Sequence, residues 1–159
     1  MPLMIEDARV LQAAEVIADN VWKRVGRWGP FARDTVGQHL AEAVDSIGAS
    51  VAQAYGRIDT AGVLACLYVA RGGLFETKYW LNRARSRELL EAEAAEAYAH
   101  ELAELARQLN GLLVATRQQR AAEAKAPRAV RDISTDYSAP EDLSLALFSP
   151  DDLAWLSSS

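Results

Sequence analysis

Residues 40–57 read LAEAVDSIGASVAQAYGR. Leu40, Val44, Ile47, Val51 and Ala54 step by 4, 3, 4 and 3, the spacing of an apolar stripe along one face of a helix. The stretch between them is filled with Gly48, Ala49, Ser50 and Ala52, where a helix standing alone would prefer larger side chains. A helix thinned in this way is built to let another backbone come close.

The same period extends outward in both directions. Upstream, Val10, Ala14, Ile17, Val21, Val25 and Trp28 fall at steps of 4, 3, 4, 4 and 3, and Gly26 with Gly29-Pro30 ends the run. Val36 extends the second stripe, which runs from about Ala32 to Tyr55; Gly56 is placed where a left-handed residue would close the helix. Asp59 or Thr60 caps a third segment. Its seam of Val63, Leu67, Ala70, Leu74, Thr77, Leu81 and Ala84 alternates steps of 4 and 3 without interruption. A fourth, from near Glu88 to about Ala124, carries Tyr98, Leu102, Leu105, Leu109, Leu112 and Thr116 at the same steps. No alternating strand pattern competes. Four helices joined by short breaks predict an all-α fold, an antiparallel up-down four-helix bundle over residues 1–126.

Residues 127–159 form a separate, irregular acidic tail. From position 132 onward there are six acids and no Lys or Arg, whereas residues 1–131 hold 16 acids and 17 bases. The formal charge of −5 is thus a nearly neutral body with an acidic end. Ser149-Pro150-Asp151-Asp152 has the cap, the first-position proline and the first-turn acids of a helix start, so a short helix is expected at 150–157. Tyr137, Phe148, Leu153 and Trp155 are candidate anchors for a partner, or for the chain's own basic surface.

Several chemistries lack their residues. His39 and His100 are preceded at three positions by Val36 and Ala97, so the Glu-x-x-His motif of di-iron bundles is missing. One cysteine, Cys66, and two distant histidines do not make a zinc site, and Cys66 on an apolar face reads as a core residue. No phosphate-binding glycine loop follows a strand. The expectation is a protein without cofactor, metal or catalytic residues. No apolar run spans a bilayer, the first seven residues lack a secretory pattern, and a single cysteine suits a reducing compartment, so the expected location is cytoplasmic, away from membranes.

Glycine inside a helix costs about 1 kcal/mol relative to alanine. Gly48 in the second helix and Gly72 and Gly73 in the third therefore mark close packing, either between those helices or with another subunit.

Residues 40–57 also resemble, in degenerate form, the motif L-R-R-A-A-x-S-I-x-x-N-I-A-E-G-x-G-R. That motif belongs to a bacterial four-helix-bundle family of ribosomal-RNA intervening-sequence proteins, which includes the accessory variability determinant proteins of diversity-generating retroelements. ARGGLFE at 70–76 is similar to the family's A-x-G-S-x-x-E, and LARQLNGLL at 105–113 to the close of its last helix. The likeness covers about residues 8–118. Ser46, Ile47, Ala52, Gly56, Arg57, Gly72 and Glu76 match, while Ala41 and Glu42 replace the usual basic pair, Ser50 an Asn and Gln53 a Glu. The resemblance implies a homo-oligomer, a pentameric ring of bundles, that associates with RNA and a reverse transcriptase. It also implies that Arg57 and Glu76 form a structural ion pair near the ring interface.

Arg71, Lys78 and Arg85 recur every seven residues beside the third seam, widened by Arg83 and Arg87. Arg117 and Arg120, with Lys125, Arg128 and Arg131, form a second cluster. Arg71, Lys78, Arg85, Arg117 and Arg120 are the candidate nucleic-acid contacts. Two readings result: a nucleic-acid-associated accessory protein, or an oligomeric scaffold that engages another protein through its acidic tail without binding nucleic acid.

Overall fold

The structure, a computed structural model, describes residues 8–125 and 149–158. Every regular element within these residues is helical. In chain order they are α1 (Ala8–Val25), a single turn α2 (Pro30–Ala32), a π-helical stretch (Arg33–Gly37), α3 (Gln38–Tyr55), α4 (Thr60–Ser86), α5 (Ala92–Lys125) and α6 (Pro150–Ser157). Helix α1 packs on α3, α3 on α4, α4 on α5, and α5 back on α1. The core lies where the four apolar stripes meet. Every residue of those stripes is buried except Trp28, which is half-buried in the turn after α1. Two threonines sit in this core without an orphan hydroxyl. Thr77 Oγ1 donates to the Gly73 carbonyl at 2.7 Å and Thr116 Oγ1 to the Leu112 carbonyl at 2.8 Å, each one turn back.

The thinning of α3 has two separate uses. On the α4 side, Ser46 and Ile47 sit directly over Gly73. A Cβ on Gly73 would lie 2.6 Å from Ser46 Oγ, 3.0 Å from Ile47 Cγ1 and 3.4 Å from the Ala43 carbonyl oxygen. On the α1 side, a Cβ on Gly48 would meet Ala14 Cβ at 3.7 Å and Leu11 Cδ1 at 3.9 Å, ordinary contact. Gly48 therefore packs against α1, not against α4. Gly72 departs from the close-packing expectation within the chain: it is exposed, and a Cβ there would meet nothing within 4 Å. One residue turns a helix by about 100°, so adjacent glycines face different surroundings.

The breaks between helices show three further departures. Gly56 has φ −83° and ψ −3°, a right-handed conformation, not a left-handed one. The chain leaves α3 by a tight turn in which Gly56 N–H donates to the Gln53 carbonyl and Arg57 N–H to that of Ala54, both at 3.1 Å. The left-handed residue is Glu88, at φ 58°. Leu89 N–H donates to the Ala84 carbonyl at 2.9 Å and Glu88 N–H to that of Arg85 at 3.0 Å, the paired bonds of a Schellman end. That is why α5 starts at Ala92 and not near Glu88: the intervening residues close α4. The start of the second segment widens into a π-turn, with Gln38 N–H reaching the Arg33 carbonyl. Here Gly37 is buried, and a Cβ on it would lie 2.6 Å from Val25 Cγ1.

At its start α4 is capped by Asp59, whose Oδ1 accepts from Gly62 N–H at 2.7 Å. Helix α6 has the full capping box: Asp152 N–H donates to Ser149 Oγ at 3.0 Å, and Ser149 N–H to Asp152 Oδ2 at 2.9 Å. If the Gly73 contact sets the α3–α4 spacing, Gly73→Ala is expected to lower unfolding stability by about 1–3 kcal/mol, the usual effect of overpacking. Urea denaturation measures it, and a loss below about 0.5 kcal/mol would show that the two helices yield freely.

Candidate functional site

On α4, Arg71 and Lys78 are two turns apart, and α6 covers them. Helix α6 lies along α5 and sends side chains across to α4. Leu156 is its anchor, 0% exposed among the core leucines, with Leu153 half-buried beside it. The Trp155 ring stacks on Phe75 with centroids 5.5 Å apart, and the Arg71 guanidinium lies 4.9 Å from the Phe75 ring centroid. Asp152 Oδ2 stands 3.6 Å from Arg71 Nη2. That ion pair is half-exposed and contributes about 0.2–1 kcal/mol, whereas burying a leucine contributes about 1.5–3 kcal/mol. Leu156 holds the helix down; the charges align it.

Lys78 is the unusual member. It was expected to meet solvent or phosphate, yet it is only 2% exposed. Its Nζ donates to the Ser158 carbonyl oxygen, and it lies 5.8 Å from the centroid of the Trp155 ring. No carboxylate of the described residues pairs with it. Burial pushes its ammonium below the usual lysine range, and the nearby positive charge of Arg85 adds to the effect. The result is a cation held under a helix by a neutral carbonyl and a ring face.

The other candidates fall around this line. Arg85 is exposed one helix end away. Arg117 Nη2 donates to Tyr68 Oη at 2.7 Å, which ties α5 to α4 three residues before Arg71. Arg120 is half-buried on α5. Arg83 lies 5.8 Å from the Tyr79 ring centroid, in a group where Trp80 stacks on His39 at 4.5 Å. Arg57 and Glu76 are not brought together within the chain. Arg57 Nε donates to Cys66 Sγ at 3.4 Å, and Glu76 lies about 15 Å further along α4. Of the tail anchors, Leu153 and Trp155 face the chain's own helices, while Tyr137 and Phe148 lie outside the described residues. Sequence reasoning passed over Leu156, Asp152 and Phe75 as parts of this site. The available signal was the capped start at Ser149 followed by Leu153 and Leu156 three apart, an apolar face in need of a partner.

Among the described residues no group of His, Cys, Asp and Glu could hold a metal ion. No helix among them is long and apolar enough to cross a membrane. A polar cleft of about 550 Å³ opens between the end of α1 and the start of α5, lined by Lys23, Arg24, Arg27, Trp28 and Glu101 among others. Burial raises the Glu101 carboxyl above its ordinary 4.5, and Oε2 accepts no hydrogen bond from the described residues.

Comparison with known families follows the helical body. A family model described as 23S rRNA-intervening sequence protein matches residues 6–111. The chain belongs to this family. The match ends within α5, so α6 and the residues before it lie beyond the family's shared part. No curated protein and no solved structure matches the chain significantly. In this intervening-sequence family member, a helix outside the matched residues, α6, is seated on the matched ones.

The Glu101 environment gives a pH prediction. A carboxyl raised in the folded state contributes stability below its ordinary value, and that contribution is lost as pH rises through the raised folded value. Glu101→Gln is therefore expected to be more stable than the parent near neutral pH, by about 0.5 kcal/mol. The advantage should close as pH falls below the ordinary 4.5, as followed by melting temperature across pH.

Proposed function

We propose that this chain is a non-enzymatic accessory protein: a four-helix bundle that assembles into a homo-oligomeric ring and holds nucleic acid by its phosphates. The observation that carries the anionic ligand is Lys78, a buried cation with no carboxylate partner among the described residues, in line with Arg71 and Arg85. Asp152 stands 3.6 Å from Arg71 at one end of the line. Arg83 and Arg87 extend the line at one end, and Arg117 adjoins it through Tyr68. Repetition around a ring would multiply a modest charge per subunit. The resemblance to retroelement accessory proteins and membership of a family described by ribosomal-RNA intervening sequences support the same reading.

Self-assembly draws on the opposite side of α4. Ala61, Ala65, Val69, Gly72, Glu76 and Tyr79 follow steps of 4, 4, 3, 4 and 3, and all are exposed. Val69 is 60% and Tyr79 52% exposed, and only Glu76 carries charge. Outer helix faces are normally polar, so a face like this suits a second copy. Gly72, which nothing within the chain requires, lies at its centre. An Arg57–Glu76 ion pair would then run between subunits. A scaffold that recruits another protein by its tail is the weaker reading, because Leu153, Trp155 and Leu156 are engaged on the chain's own helices.

The test is solution mass by light scattering together with hairpin-RNA binding at low and moderate salt. The expected mass is a multiple of 17.4 kDa, and Val69→Glu is expected to reduce it to a single chain. RNA binding should be detectable at low salt, fall with salt, and weaken in Arg85→Glu. A monomeric parent, or RNA ignored at low salt, contradicts the respective half of the proposal.

A further inference from the structure

Helix α6 stands where the anionic ligand would stand. It touches Arg71 through the Asp152 carboxylate and Lys78 through the Ser158 carbonyl, and it caps Phe75 with the Trp155 ring. The Asp152 carboxylate, the Ser158 carbonyl and the Trp155 ring thus occupy the positions that phosphate oxygens and a base would take beside an arginine, a lysine and a phenylalanine.

The attachment is suited to exchange. At eight residues, α6 is far shorter than a helix stable by itself, so it is formed only while it is docked. A single fully buried side chain, Leu156, fastens it; Trp155 remains 41% exposed, and the Arg71–Asp152 pair is open to salt and water. Its removal would leave the shared helices intact, since the stripes of α1, α3, α4 and α5 pack on one another. It would also return Lys78 to solvent as a free cation.

We propose that α6 is a detachable cover of the α4 cationic line, excluding a phosphate backbone while docked and exposing Arg71 and Lys78 together when it leaves. This rests on the reading of that line as an anion site. The cover and the ligand compete for the same side chains, so the apparent affinity for RNA is set by the fraction of chains in which α6 is open. The exposed Arg85 and the half-buried Arg120 stay outside the cover and account for residual binding in the closed state.

The experiment uses the full chain and Leu156→Ser, which loosens the anchor without adding charge. Trp155→Ala, at a partly exposed position, serves as a second opener should Leu156→Ser fail to fold. Hydrogen exchange of amides 151–158 reports docking, and anisotropy of a fluorescein-labelled hairpin RNA at low salt reports binding. Opening is expected to tighten RNA binding about tenfold or more, and adding Arg71→Gln and Lys78→Gln to the opened chain is expected to remove the gain. Opened and parent chains that bind RNA equally would overturn the cover while leaving the anion site standing. No binding by any of them would overturn the anion site and the cover with it. Amides 151–158 exchanging at unprotected rates in the parent would overturn the docking itself.

Discussion

The absent side chain of Gly73 fixes the arrangement. Because Ser46 and Ile47 of α3 occupy the space where its Cβ would lie, α4 is held in one rotation about its own axis. That rotation decides which of its faces does what. The seam from Val63 to Ala84 turns into the core, and Arg71 and Lys78 come to lie on the α5 flank beneath α6. Val69, Gly72, Glu76 and Tyr79 are left outside. A turn of one residue would bury Gly72 in place of Gly73 and move the cations off the flank.

Most of this was legible in the sequence where the information is local and repeated. The steps of 3 and 4 named the central buried stripe of each long helix, though not flanking core residues such as Leu64, Ala103, Ala106 and Leu113, because one helix face repeats the same statement several times. The capped start at Ser149 was legible for a similar reason, since its residues are consecutive. What escaped reading was either atypical or distant. Glu88 takes a left-handed conformation usually given to glycine, so the end of α4 carried no mark, while Gly56 carried the mark and did not use it. Gly37, with Val25 against it, has its reason in another helix. Lys78 was the largest surprise. Periodicity places it beside the seam, but its burial comes from Trp155 and Ser158, whose separation along the chain no local pattern spans.

The candidate site follows from the same geometry. A lysine seldom goes into the interior without a carboxylate, since desolvation penalises the charge. Here the helix that covers Lys78 offers a carbonyl and a ring, and its one paired carboxylate goes to Arg71. The family's shared helices end before that cover begins, as the match at residues 6–111 stops within α5. The cover therefore lies outside the matched stretch of sequence, and the regulation proposed for α6 depends on the same Arg71 and Lys78 as the function proposed for the body.

The arrangement is tested most directly by nuclear Overhauser contacts in the full chain, with selectively labelled aromatic rings and isoleucine methyls. The account predicts cross-peaks between the Gly73 Hα protons and Ile47, and between the Trp155 and Phe75 rings in the same sample. Gly73 contacts accompanied by a Trp155 ring with no neighbour on α4 would contradict it: α4 would keep its rotation, but its cationic line would lie bare.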